Sequence, residues 1–219
     1  MSGGSARERA EQLVLARISE AAGRARLGRR RATYPAPTAS KGRVTYRLAR
    51  AGGREGTAAG SRLDFYEHGM TVAVDGRIHA IRYDTTVVRL RRVLSLQGIT
   101  RALALVDTDG ERILVRCGDF GHPQVWGPKI RRAVTAAQVP QALDALARGA
   151  RLTFGPVWIT AGEIGSRKTS LQWSRVQQIT ILKGAVVIRV AGRWQVLSFA
   201  ASGIPNPFVF HALTGLLAG

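Results

Sequence analysis

A mainly β, α+β chain built of two successive strand-rich units is what this sequence predicts, and three observations carry the prediction. From Leu63 to Cys117, and again from Leu152 to Phe199, apolar residues alternate with polar ones in short runs, the period of half-buried strands. Each block is followed by a segment whose apolar residues recur at helical spacing. The chain has 219 residues, is 45% apolar and holds one cysteine, Cys117. A buried core, not a disulfide framework, must therefore stabilise it.

Residues 5–28 are expected to form a helix, with Ser5 as cap and Leu13, Val14, Ile18, Ala21 and Ala22 as its apolar stripe. Gly28 is the expected stop. Arg24, Arg26, Arg29, Arg30 and Arg31 crowd its C-terminal end, where positive charge suits the helix dipole. Tyr34-Pro35-Ala36-Pro37 reads as an extended linker, residues 51–61 as a glycine-rich loop, and Val44, Tyr46 and Leu48 alternate in a candidate strand over 43–48. Strands are then expected at 62–67, 70–74, 77–83, 86–92, 101–107 and 112–117, with Asp109-Gly110 the clearest hairpin signal. Trp126, Ile130 and Val134 lie four apart in a helix over 123–137 opened by Pro123. Pro140 breaks it or begins a second segment, 140–148. Strands resume at 151–154, 157–161, 163–166, 169–173, 176–182, 185–190 and 193–199, and Pro205-Asn206-Pro207 announces a last helix over 207–217.

This order divides the chain into 1–42, a basic helix and proline-containing linker; 43–149, a first unit with a helical connector; and 150–219, a second unit. The halves also align weakly. Leu63-Asp64-Phe65 matches Leu152-Thr153-Phe154, and the run from Ile81 to Val87 matches that from Leu171 to Gln177, placing Tyr83 opposite Trp173. Shared segments at nearly constant offset favour duplication. A strongly curved sheet with one helix over its open end is the build of a pleckstrin-homology-like (PH-like) barrel, so the expected fold is two tandem PH-like barrels, each capped by a C-terminal helix and preceded by the basic N-terminal helix.

Several short motifs resemble a bacterial family of uncharacterised proteins, domain of unknown function 6585. They are Phe154-Gly155-Pro156, Leu171-Gln172-Trp173, Lys183-Gly184, Gly192-Arg193-Trp194 and the run Ile204 to Phe210; upstream, Arg26-Leu27-Gly28 with Tyr34, and Tyr66 to Met70, fit as well. The resemblance covers nearly the whole chain. It implies tandem PH-like domains, and no activity or functional residues.

Charge narrows the partners. Lysine and arginine number 33 against 14 acidic residues, a net +19, with +9 of it in residues 1–60. Such a surface attracts phosphate-rich or acidic partners. Because 29 of the cations are arginine, a GC-rich genome is a competing cause. No apolar run approaches a membrane span, and the N-terminus lacks the apolar core of a secretory signal; the expectation is a cytoplasmic protein, with an anionic membrane periphery as an alternative place.

Catalytic equipment is hard to find. The four histidines, His68, His79, His122 and His211, form no metal-binding pair; His68 and His79 fall on neighbouring strands, with Glu67 or Asp84 as the nearest carboxylates for a third ligand. Cys117 shares strand alternation with Ile113 and Val115 and reads as a core residue, although His122 is near in sequence. Asp107, Asp109 and Glu111 cluster at a hairpin tip, where turn chemistry accounts for them. Gly52-Gly53-Arg54-Glu55-Gly56 lacks the phosphate-loop pattern. Trp126 and Trp173 read as core anchors, whereas Trp158 and Trp194 are candidates for an exposed platform.

The expected function is a non-catalytic recognition or scaffold protein without cofactor or metal, binding a protein segment or anionic lipid headgroups. Its anion-binding candidates are Arg24, Arg26, Arg29, Arg30, Arg31, Arg167 and Lys168, with Arg77 and Arg82 as further basic rim residues. The alternative is non-specific nucleic-acid binding through the basic N-terminal segment. A small-molecule enzyme is the third reading, and the missing acid–base pair and phosphate loop count against it.

Overall fold

The computed structural model describes residues 3–36, 61–95, 98–167, 169–182, 184–199 and 203–218; the expected 43–48 strand and the body of the glycine-rich loop lie outside them. Helix α1 spans Gly3–Arg24, shorter than the expected 5–28 at its C-terminal side. Its end is a Schellman turn: Leu27 N–H donates to Ala22 O at 3.0 Å and Arg26 N–H to Gly23 O at 3.0 Å. The left-handed residue this turn needs is Arg26, at φ 53°, so the helix stops before Gly28. Leu27 and Ala22 then meet Tyr66 in a small apolar cluster of their own, the hydrophobic contact that accompanies such caps.

The segment expected to be a linker is a strand. β1 (Arg30–Pro35) pairs antiparallel with β2 (Arg62–Tyr66), and Pro35 is tolerated because it ends an edge strand. β3 (Gly69–Val74) and β4 (Arg77–Arg82) complete a four-stranded antiparallel sheet in order β1-β2-β3-β4. β5 (Arg89–Ser95), β6 (Gly98–Val106) and β7 (Arg112–Arg116) form a three-stranded sheet. α2 follows at Pro123–Ala147 as one helix with Pro128 and Pro140 inside it, correcting the expected break. Ala137, Val139, Ala142 and Leu143 pack against the core on both sides of Pro140, and that burial outweighs the single backbone donor the proline lacks.

The same order then recurs. β8 (Leu152–Phe154), β9 (Val157–Ile159), β10 (Glu163–Ser166) and β11 (Ser170–Gln172) make a four-stranded sheet. β12 (Gln178–Leu182), β13 (Ala185–Val190) and β14 (Arg193–Ser198) make a three-stranded one, and α3 (Pro207–Leu217) closes the chain. The fold is thus mixed α+β and mainly β. All strand pairings are antiparallel, and among the described residues every sheet stays open; none closes into a barrel.

Strand order refines the internal alignment. Tyr83 and Trp173 are equivalent: each follows the fourth strand of its unit, and each backbone N–H donates to the bend before the third, Tyr83 to His68 O at 3.0 Å and Trp173 to Gly162 O at 3.1 Å. The expected match of Leu63 to Leu152 fails, because Leu63 belongs to the second strand of its unit and Leu152 to the first.

One hydrophobic core runs through both units, taking Leu63, Ile81, Leu105, Trp126 and Ile130 from the first and Ile159, Ile164, Trp173, Ile188 and Phe210 from the second. α2 packs on α3, while α1 lies on β3 and β4. A polar clasp completes the joint. Asn206, in the left-handed region at φ 46°, accepts from Val88 N–H through its side-chain oxygen and donates to Thr86 O at 3.1 Å and Gln138 Oε1 at 2.7 Å. Its own backbone N–H donates to Val88 O at 2.7 Å, and Arg89 reaches Gly203 O at 2.8 Å.

Candidate recognition surface

Many of the charged groups that the sequence offers for chemistry are tied into the fold. Asp64 is fully buried and is gripped by Arg62, Nε to Oδ2 and Nη2 to Oδ1, both at 2.7 Å, with the Thr33 hydroxyl donating as well. Arg82 holds Asp84 through Nε at 3.0 Å and Nη2 at 2.6 Å and donates to Ala25 O at 3.1 Å, tying β4 to the end of α1. That guanidinium keeps the Asp84 carboxyl below its usual range and is itself held more firmly protonated. Of the basic rim residues, Arg77 forms a two-pronged pair with Glu111 at 2.8 and 2.6 Å.

The histidines do not assemble as expected. His68 sits in the bend between β2 and β3, while His79 lies within β4 opposite Val72, four residues along β3 from His68. His79 is instead brought to the β6–β7 hairpin. Its Nδ1 lies 2.8 Å from Asp107 Oδ2 and 3.9 Å from Glu111 Oε2, and one potential ligand atom from each of the three falls within 4.8 Å of the others. Asp107 Oδ1 already accepts Asp109 N–H at 3.0 Å and Glu111 N–H at 2.8 Å, and Arg77 occupies both Glu111 oxygens. A metal held by all three would have to compete with Arg77 for Glu111, and the hydrogen bonds present make the set a clasp that locks the hairpin onto β4. The hairpin-tip reading of Asp107 and Glu111 thus gains a cross-strand partner that sequence spacing did not reveal.

Cys117 is exposed, not a core residue: β7 ends at Arg116, and the alternation that buries Ile113 and Val115 stops with it. His122 holds the left-handed position before α2, at φ 57°. Trp126 and Trp173 are buried, and Trp173 Nε1 donates to Thr160 O at 2.9 Å. Trp158 is half-buried under the Arg151 guanidinium, 3.9 Å from the ring centre.

The N-terminal arginines are not one helix-end cluster. Arg24 ends α1 beside Glu20 at 3.9 Å; Arg26 is the Schellman residue; Arg29 precedes β1, and Arg30 and Arg31 lie in it. Arg30 approaches Asp64 at 3.8 Å and Arg31 pairs with Glu67. The Arg29 backbone N–H, 3.0 Å from Glu67 Oε2, is the main cause of a depressed Glu67 carboxyl, with Arg31 adding to it. Among the described residues, Arg26 and Arg29 are exposed and make no side-chain ion pair. Arg167 is exposed in the turn after β10, and Lys168 lies outside the described residues.

Two sheet faces carry signals of which the sequence offered only Trp194, a candidate for an exposed platform that is half exposed in the fold. On the sheet of β5–β7, buried Ala102 stands between Arg91 and Arg116 in register. On that of β12–β14, Val186, Ile188 and Val190 face the core, so Ala185, Val187 and Arg189 face away with their partners Leu182, Val196 and Trp194. There Leu182 is 57% exposed, Trp194 50% and Val196 44%, with Phe199 just beyond at 83%. The alternation of AVVIRV and RWQVL was the available signal, but two apolar phases in adjacent strands hide which side is covered.

No helix of the described residues is long and apolar enough to cross a membrane. No curated protein matches the chain. The model of a family of unknown function, DUF6585, matches residues 59–217; the motif from Arg26 to Tyr34 lies outside the match. On that span, the chain belongs to the family of unknown function DUF6585.

Proposed function

We propose that this chain is a non-catalytic recognition protein made of two PH-like units, whose exposed sheet faces and exposed arginines bind an anionic partner. The observation that carries the reading is the outward face of β12–β14: exposed Leu182, Val196 and Trp194 spread along a strand face on which Ala185 and Val187 are buried and Arg189 is exposed, in a unit with seven basic residues and Glu163 as its one acidic side chain. Exposed apolar side chains gathered on one face mark an interaction surface, and the charge selects acidic partners. Four strands, three strands and a helix, in the same order twice, support the PH-like reading. The internal pairing of Asp64, Asp84, Asp107 and Glu111 supports binding without turnover. A cytoplasmic protein working against other proteins or at the membrane periphery fits this reading.

The test is a panel of anionic vesicles, neutral vesicles, duplex oligonucleotide and acidic peptides at two salt concentrations. Binding to an anionic probe that weakens with salt and is lost in Trp194→Ser supports the proposal. Equal binding by Trp194→Ser, or turnover of an ester, phosphate or glycoside by the pure protein, overturns it. Nucleic acid is the second reading, favoured by Arg26 and Arg29, exposed and without a side-chain ion pair among the described residues, and preferential oligonucleotide binding would select it.

A further inference from the structure

We propose that the outward face of the β5–β7 sheet is a docking surface for double-helical nucleic acid, held through its phosphates by Arg91, Arg112 and Arg116. This rests on the recognition reading above and gives its nucleic-acid alternative a surface apart from both β12–β14 and the N-terminal arginines. The three strands hold six arginines and no acidic residue. Leu105, Ile113 and Val115 belong to the core, so alternation turns Arg89, Arg91, Arg112 and Arg116 to the other face. The register sets Arg91, Ala102 and Arg116 in one row across the sheet and places Arg89 opposite Ala104. Cationic side chains thus stand on the two outer strands, about 10 Å apart, with small residues on the strand between them. Along β5, Arg89 and Arg91 are about 7 Å apart, comparable to successive phosphates on a nucleic-acid strand.

The charge on this face is uncompensated. In the β1–β4 sheet, Arg62, Arg77 and Arg82 are each paired with a carboxylate. Arg91, Arg112 and Arg116 form no side-chain ion pair among the described residues, and Arg91 and Arg112 are exposed. Asp119, just beyond β7, accepts the Arg116 backbone N–H at 3.1 Å, and Arg89 is held at its Nη1 by Gly203 O. Forked guanidinium donors match phosphate oxygens, and the phosphates of two backbones suit two parallel rows of cations. A single strand would call for aromatic platforms under its bases, and β5–β7 contain no aromatic residue. A membrane surface would call for large apolar side chains beside the charge; on this face the largest is a single leucine, Leu114. With nothing but arginine and small residues presented, the contacts are to the backbone and independent of base sequence.

The probe is a short mixed-sequence duplex DNA, titrated with the full chain by fluorescence anisotropy over a salt series. Arg91→Ser with Arg116→Ser is expected to weaken binding at least about tenfold at physiological salt and to lower the salt slope by about 0.9 for each phosphate released. Arg92→Ser with Arg101→Ser is the control of equal charge. Those two residues face each other one row away, on the opposite side of the sheet, and both are exposed; salt limits the reach of their charge, so their loss should change binding less than about threefold. Arg91→Lys with Arg116→Lys should retain most of the slope, and circular-dichroism melts check that each variant is folded. Equal weakening by both serine pairs, parent-like binding by Arg91→Ser with Arg116→Ser, or tighter binding to a single strand or to anionic vesicles than to duplex overturns this surface. If vesicles or acidic peptides still bind in a salt-sensitive, Trp194-dependent way, only this surface fails. Duplex binding lost with Arg91 and Arg116 but unchanged in Trp194→Ser supports this surface and overturns the β12–β14 face. If no anionic probe binds, the recognition reading fails as a whole.

Discussion

At the scale of the residue, backbone conformation and close packing decide more than side-chain type. Arg26 occupies a left-handed position that costs a non-glycine residue about 1 kcal/mol. Arg26→Gly is therefore expected to raise the melting temperature while removing a charge, and a melt together with a heparin-binding assay separates the two effects. Gly165 sits opposite Trp158, and a Cβ there would lie 2.2 Å from the indole ring. Gly165→Ala should cost roughly 1–3 kcal/mol in a denaturant titration, while Trp173→Ala, emptying a buried site, should cost roughly 3–5 kcal/mol. Asp84 contributes to the acid side of the pH dependence. Its carboxyl is depressed in the fold by Arg82, so its contribution is present at neutral pH and is lost as pH falls through the carboxylate range, below about 4. Asp84→Asn should flatten the acid side of the stability profile and leave the alkaline side unchanged.

At the scale of the element, α1 emerges as an almost balanced helix. Gly3–Arg24 holds four arginines and three glutamates, and the dense positive charge begins after it. Deleting α1 alone should therefore change polyanion binding little. Arg26→Glu with Arg29→Glu should reduce the salt slope on duplex DNA by about 0.9 for each phosphate no longer neutralised. Arg30→Ala and Arg31→Ala should act less on binding, because Asp64 and Glu67 already face those side chains. A truncation inside 30–35 would remove an edge strand, confounding charge with folding.

At the scale of the molecule, the two repeated units share one core and a polar clasp. Thermal unfolding is expected as a single transition by both circular dichroism and tryptophan fluorescence. Asn206→Ala should destabilise it by roughly 1–3 kcal/mol, since Val88 N–H and the Gln138 amide oxygen lose their half-buried partner. Separate transitions for the two probes would show that the units fold independently.

The sequence by itself determined the strand-rich order, both terminal helices, nearly every strand of the second unit and the buried roles of Trp126 and Trp173, because period-two and helical alternation are local properties of the chain. Tertiary structure decided the rest. Burial on both sides of Pro140 kept α2 whole, and pairing with β2 made a strand of Arg30–Pro35. The fold of β4 onto the β6–β7 hairpin joined His79 to Asp107 across 28 residues. Which face of β12–β14 lies open depends on how the units pack. Local sequence carries the period of an element, but what covers each face is set by residues distant in the chain.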